Sequence, residues 1–434
     1  MKYISLKNSE NSFTLKEAVF KGLAPDGSLF MPEKIPILSN NFINNFHLKD
    51  LNEIAYDILK LYVDQEVPSD EFKRIVDETF NFKIPLKELE YNLFSLELFH
   101  GPTLAFKDVG ARFLSRLLGY FNKGEKRKLM VLTATSGDTG GAVANGFHRV
   151  PGIEVVVLYP KGKISPYQEY QIAGPGDNVH AIAVDGSFDD CQRLVKEAFN
   201  DSELREQIYM TSANSINIGR LLPQMVYYFY AIAQLRNSNI YDAPVITVPS
   251  GNFGNITAAM IGAQMGMPVK RFVAATNEND VVPRFLLDGV YSPHETIMTI
   301  ANAMDVGDPS NFPRMYQLYN NSLALIKDSL FSASVTDNEI KDTIVKCYKE
   351  REYLMDPHSA SAYNILKRTL SDKETGFFVS TAHPFKFSEV IEDILPGALK
   401  KSGYEVDFEL NQANKGEVMK SEYSSFKKII ENLA

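Results

Sequence analysis

The chain of 434 residues is long enough for two or three domains around a large core, and its 44% apolar and 23% charged residues exclude a largely disordered protein. A formal net charge of −9 argues against a general nucleic-acid binder, because phosphate backbones need a basic face; it leaves room for a small anionic ligand held by a few local donors. The two cysteines, Cys191 and Cys347, form no CxxC pair, so a reducing compartment is expected rather than a disulfide scaffold or a zinc ribbon.

The opening stretch MKYISLKNSENSF lacks the apolar core of a signal peptide, and no run approaches the ~18 apolar residues of a membrane helix. A cytoplasmic protein with neither membrane nor nucleic-acid partners is therefore expected. Residues 1–92 read as a mainly helical N-terminal section with a turn at Pro25-Asp26-Gly27. Leu51, Ile54, Ala55, Ile58, Leu59 and Tyr62 recur at helical spacing within 48–63, and Pro68-Ser69-Asp70 offers an N-cap for a helix over 71–80. Asp108 reads as the N-cap of a helix whose apolar face is Val109, Phe113, Leu117 and Phe121.

From about residue 93 short apolar runs alternate with helical patterns. Strands are predicted over 129–132, 153–158, 179–184, 244–248, 272–275 and 377–380, with helices from about Gly141, around 189–199 and over 221–235. Residues 417–434, with Val418, Phe426, Ile429, Ile430 and Leu433 among charged neighbours, predict a closing amphipathic helix. This alternation implies an α/β fold with a mostly parallel sheet, in which ligands bind at the carboxyl ends of strands.

Three loops occupy such ends. Thr133-Ala134-Thr135-Ser136-Gly137-Asp138-Thr139-Gly140-Gly141 is either an anion-binding concavity of hydroxyls and N–H groups or a plain capped turn. Pro249-Ser250-Gly251-Asn252-Phe253-Gly254-Asn255 leads into a helix beginning near Ile256. Its two glycines favour a phosphate cradle, though it is neither a Walker loop nor GxGxxG. Ser380-Thr381-Ala382-His383-Pro384 alone reads as a strand end with a buried histidine. Upstream, Lys107 follows Leu104-Ala105-Phe106. It is either an ordinary exposed first-turn lysine or a partly desolvated, nucleophilic amine. An amine of that kind together with a phosphate cradle is what a pyridoxal phosphate enzyme requires.

The segments EAVFKGLAPDGSLFMPEKIP, HGPTLAFKD, TATSGDTGGA, SINIGRLLPQ, PSGNFGNITA and STAHPFKF occur in an order that resembles the threonine synthase family, of fold type II among pyridoxal phosphate enzymes. Two departures are Ser28, where the family usually has a second Gly, and Phe385, where it more often has a small residue. The resemblance implies two open twisted α/β lobes, a smaller one over roughly 128–235 inserted in a larger one formed by the remainder of 93–434. It implies that Lys107 binds the cofactor covalently and that Gly251, Asn252, Phe253, Gly254 and Asn255 surround the cofactor phosphate. Thr381 is implied at the pyridine nitrogen. Ser136, Gly137, Asp138 and Thr139 are implied near the substrate carboxylate and the cofactor 3′-oxygen. Arg220, with Asn217 and Lys161 or Lys163, is expected at the substrate phosphate. The implied reaction takes O-phospho-L-homoserine and water to L-threonine and phosphate, in a monomer or homodimer. The rival readings are a related lyase, such as a threonine or serine dehydratase or a phospholyase, and a non-catalytic relative. The seven histidines show no HExxH or comparable spacing, so no metal is expected.

Overall fold

A computed structural model describes residues 1–125, 127–404 and 415–434. In chain order its strands are β1 (Tyr3–Ser5), β2 (Ser12–Phe13), β3 (Phe30–Pro32), β4 (Leu86–Glu90), β5 (Leu93–Glu97), β6 (Leu129–Ala134), β7 (Ile153–Pro160), β8 (Val179–Asp185), β9 (Tyr209–Ser212), β10 (Val245–Pro249), β11 (Arg271–Thr276), β12 (Leu330–Ser334), β13 (Gly376–Ser380) and β14 (Glu417–Lys420). Most of the predicted strands lie in two sheets whose buried, β-branched runs are flanked by helices, as parallel sheets require. The larger sheet has the order β12-β11-β10-β13-β5-β4, parallel except for the β4–β5 hairpin. The smaller sheet, β14-β8-β7-β6-β9, is parallel throughout.

Local rules placed several helices and misjudged others. Asp50 caps the helix Leu51–Val63 by accepting the Glu53 N–H while Glu53 reaches back, a capping box. Before the helix Ser69–Thr79 the cap position belongs to Pro68, with no side-chain cap; Ser69 and Asp70 already lie inside the helix, where Asp70 and Glu71 complement its dipole. Asp108 is likewise no N-cap. The helix Lys107–Phe121 begins one residue earlier, and the buried Asp108 carboxylate instead accepts from the Thr103 N–H (2.9 Å) and hydroxyl (2.5 Å).

The N-terminal section is mainly helical, as expected, and in addition β1, β2 and β3 form a small antiparallel sheet. The end of the chain differs. Residues 417–420 are a strand with Met419 buried and Val418 exposed, and only Tyr423–Leu433 is helical. That strand pairs with β8, and Phe426 and Ile430 pack into the core of the smaller sheet. The chain thus returns to the smaller lobe, a correction to assigning everything outside 128–235 to the larger one.

Arg314 ties the N-terminal sheet to the body. Fully buried, it donates to the carbonyls of Phe30 (3.0 Å), Ser215 (3.3 Å) and Ile216 (2.7 Å) and to Asn311 Oδ1 (2.9 Å). Substitution by Met keeps most of the volume but strands these acceptors, so Arg314→Met is expected to lower the unfolding free energy by about 3 kcal/mol or more in a urea titration.

Candidate active site

The loops after β6, β10 and β13 all reach one cavity of about 1030 Å³ between the lobes, lined among others by Lys107, Ser136, Asp138, Thr139, Arg220, residues 251–255 and Thr381. This is the arrangement of strand ends and helix starts that α/β sheets offer to anionic ligands.

Lys107 is the first residue of its helix. It is delivered by a constrained turn. Leu104 sits at φ +59°, Ala105 bridges to Ala382, the Phe106 N–H donates to the Thr381 carbonyl (2.9 Å), and the Tyr227 hydroxyl donates to the Phe106 carbonyl (2.6 Å). A left-handed leucine costs about 1–2 kcal/mol, and packing must supply it. The amine has no hydrogen bond or ion pair among the described residues. Although its side chain opens on the cavity, protein surrounds it, and this desolvation pushes its pKa down to about 8 against the opposing pull of Asp138; Lys386 and Arg220 add to the lowering. Sequence left open whether Lys107 is exposed or partly desolvated; in the structure it is a half-buried first-turn residue on the cavity. The amine is neutral above about pH 8 and protonated below, so its rate of reaction with an added aldehyde is expected to rise with pH through a midpoint near 8. Stopped-flow absorbance reads this directly, and a rate that is flat with pH would contradict it.

On the same cavity lies the start of the helix Gly254–Gln264, whose first-turn N–H groups have no intrahelical acceptors. Phe253 holds the turn at φ +57°. Gly251 is needed for a reason other than ligand approach, since a Cβ there would stand 2.7 Å from Met304 Cα. Asn252 accepts from the Ser310 hydroxyl (2.6 Å), and Asn255 Oδ1 accepts from the Tyr228 hydroxyl (2.7 Å). The Asn255 Nδ2, in contrast, is buried without a partner. Thr381 is buried at the cavity wall, and its hydroxyl bonds to no described residue.

In the loop after β6, Thr135 Oγ1 accepts from the N–H groups of Gly137 (3.0 Å) and Gly140 (2.9 Å), so those two amides are not free for a ligand. Gly137, at φ +137°, packs against Gln168 and does not line the cavity, whereas Ser136 and Thr139 remain open to it. Asp138 is buried, accepts from Gln168 Nε2 (3.0 Å) and pairs with Lys386 (3.0 Å). The ammonium charges of Lys386 and Lys107 outweigh its desolvation and hold its carboxyl far below the usual range.

Arg220 is buried and forms no ion pair among the described residues. Its Nη1 donates to the Ala213 carbonyl, its Nε is unpartnered, and desolvation pushes its pKa down to about 10. Three expected partners are elsewhere. Asn217 is a buried N-cap, spent on the Gly219 N–H (3.0 Å) and the carbonyls of Val19 and Ser212 (2.9 Å each). Lys161 and Lys163 are exposed on the turn after β7 and line no part of the cavity. The exposed His100 pairs with Glu97 (2.7 Å), and half-buried His383, desolvated to a pKa of about 4, packs on Phe99 and Tyr404. Neither lines the cavity.

Two residues were missed. Lys386 is a fully buried ammonium that meets Thr103, Gln171 and Asp138, and it shows the same signal as Lys107, a lysine inside an apolar run, here between Phe385 and Phe387. His358 lines the cavity and is fixed by Asp356 at Nδ1 (2.7 Å), while its Nε2 accepts the Ala303 N–H (3.1 Å). No sequence signal separated it from a core histidine.

A desolvated amine, a helix N-terminus with free N–H groups, an orphaned asparagine donor and an unpartnered hydroxyl fit an aldehyde-bearing, phosphorylated aromatic cofactor. With two α/β sheets and a cleft between them, they define a pyridoxal phosphate enzyme of fold type II. Residues 82–381 match the pyridoxal-phosphate dependent enzyme family, and residues 2–80 match the threonine synthase N terminus. The chain is 48% identical to threonine synthase of Haemophilus influenzae and 44% identical to that of Escherichia coli, each over 91% of both chains. It superposes on the crystal structure of threonine synthase from Escherichia coli with a TM-score of 0.90 and 40% identity, covering all of both chains. On PLP-bound threonine synthase from Brucella melitensis the TM-score is also 0.90, at 32% identity and with 100% and 99% covered. The chain belongs to the threonine synthase family of pyridoxal-phosphate-dependent enzymes. A threonine deaminase structure, at 14% identity and a TM-score of 0.54, shares the fold alone.

Proposed function

We propose that this protein converts O-phospho-L-homoserine and water to L-threonine and phosphate, the last step of threonine biosynthesis, in the cytoplasm and as a monomer or homodimer. The observation that carries the reading is the desolvated amine of Lys107, with no hydrogen bond or ion pair among the described residues, lining one cavity together with a helix N-terminus. Among the described residues no helix is long and apolar enough to cross a membrane.

The cofactor, when bound, supplies the covalent anchor for the substrate amine and the electron sink for charge at Cα. Lys107 is the residue that would hold its aldehyde, the 251–255 loop and the helix N-terminus would receive its phosphate, and Thr381 would face its ring nitrogen. Lys107 would serve as the base for the Cα proton, and a pKa near 8 would let it accept and return that proton near neutrality. Ser136, Thr139 and the helix start at Asp138 receive the substrate carboxylate. Arg220, a buried cation with no ion pair among the described residues, receives the substrate phosphate and stabilises it as the Cγ–O bond breaks. Loss of protons from Cα and Cβ accompanies phosphate departure. Water then adds its oxygen to Cβ, and protons return to Cα and to Cγ, which becomes the methyl group.

The decisive experiment incubates purified protein with O-phosphohomoserine, with and without added pyridoxal phosphate, and measures phosphate and threonine together. Equimolar formation of both is expected. Deamination of threonine or serine without that activity would favour the dehydratase reading, and absence of any chromophore would favour a non-catalytic relative.

A further inference from the structure

Lys386 leaves the end of β13, in the larger sheet, and crosses to groups of the smaller lobe. Its side chain is fully buried. Its ammonium donates to the Thr103 carbonyl (2.8 Å) and to Gln171 Oε1 (2.7 Å) and forms an ion pair with the Asp138 carboxylate (3.0 Å). Thr103 lies four residues before Lys107 and is also held by Asp108 and by Gln171 Nε2 (3.2 Å). Gln171 belongs to the helix Pro166–Ala173, which also presents Gln168 to the same Asp138 oxygen, Oδ1 (3.0 Å). Sealed from solvent and paired with a carboxylate, this ammonium lines no part of the cavity. It can only hold other groups in place.

We propose that Lys386 is a positioning residue: by crossing between the lobes it fixes the Asp138 carboxylate and so sets the balance of charge that faces the Lys107 amine. The proposal rests on Lys107 being the amine that captures the cofactor. The groups acting on Lys107 are Asp138 from the smaller lobe, which favours its protonated form, and Lys386 and Arg220, which oppose it. Asp138 in turn answers to Lys386, Lys107, Gln168 and His358, while Asp108 acts on Lys386 and Arg220 and pairs with Thr103. Asp138 is therefore a single carboxylate shared between two lysines, and Lys386 holds it by direct contact. Removing either partner of that contact must displace the Lys107 titration, in opposite directions.

The test strips cofactor from wild-type, Lys386→Met and Asp138→Asn proteins and measures the pH midpoint of pyridoxal phosphate capture, a readout independent of turnover. Lys386→Met removes a repelling cation and is expected to raise the midpoint by about one unit. Asp138→Asn removes the attracting anion and is expected to lower it by about one unit. The double variant, which removes the charged pair as a unit, is expected to fall between them and to fold even where Lys386→Met alone, with an uncompensated carboxylate, does not. In that case the comparison of the double variant with Asp138→Asn carries the test, and its midpoint must be the higher. Shifts of the same sign, or none, would overturn the proposal while leaving Lys107 in its role. Capture that persists unchanged in Lys107→Ala would overturn the reading on which it rests.

Discussion

Lys107→Ala is expected to abolish threonine formation, with a fall of about 10³-fold or more in kcat, and to remove the visible absorption of the bound cofactor. Two functions end together in that variant. The covalent anchor is gone, and so is the base positioned at the Cα proton. The loss should not be one of folding, because the amine makes no hydrogen bond or ion pair among the described residues and the turn that carries it is held by backbone contacts at Ala105 and Phe106. Unchanged thermal unfolding of the cofactor-free variant, set against that of cofactor-free wild type, separates the two effects. Turnover near the wild-type level in Lys107→Ala would contradict the assignment outright.

Arg220→Ala should instead impair use of O-phosphohomoserine more than cofactor affinity. A guanidinium buried with a single backbone carbonyl as hydrogen-bond acceptor has already lost its hydration, and no ion pair among the described residues repays it. An arriving phosphate supplies such a pair, and charge-assisted bonds of this kind are worth about 1.5–3 kcal/mol, or roughly 10- to 150-fold in kcat/KM. Steady-state kinetics on the substrate, beside titration of the cofactor-free protein with pyridoxal phosphate, provide the comparison. Equal losses in both would make Arg220 a structural residue. The fit at this position is close, since a Cβ on Gly110 would stand 2.9 Å from Arg220 Nε.

The family resemblance drew on motifs in fixed order, and those motifs reappear as the loops after β6, β10 and β13 around one cavity. The same motifs were poorer guides to individual partners. Asn217 lies in a matching segment yet caps a helix, and Lys161 and Lys163 carry the right charge yet face solvent. Gly251 is a glycine because the Met304 backbone presses on it, a contact 53 residues away in the chain.

By itself the sequence determined the alternation of strand and helix, the placing of Gly- and Ser-rich loops at strand ends, and an amine in an apolar run. Each depends on residues adjacent in the chain, through pleat, helical period and capping. Tertiary structure alone decided which charges meet. It brought Lys386 and Asp138 together across 248 positions, buried Arg220 with no ion pair among the described residues, and returned the last strand to the smaller sheet. Desolvation and ion pairing act through space over a few ångströms, and no local pattern in the chain encodes which distant group will occupy that space.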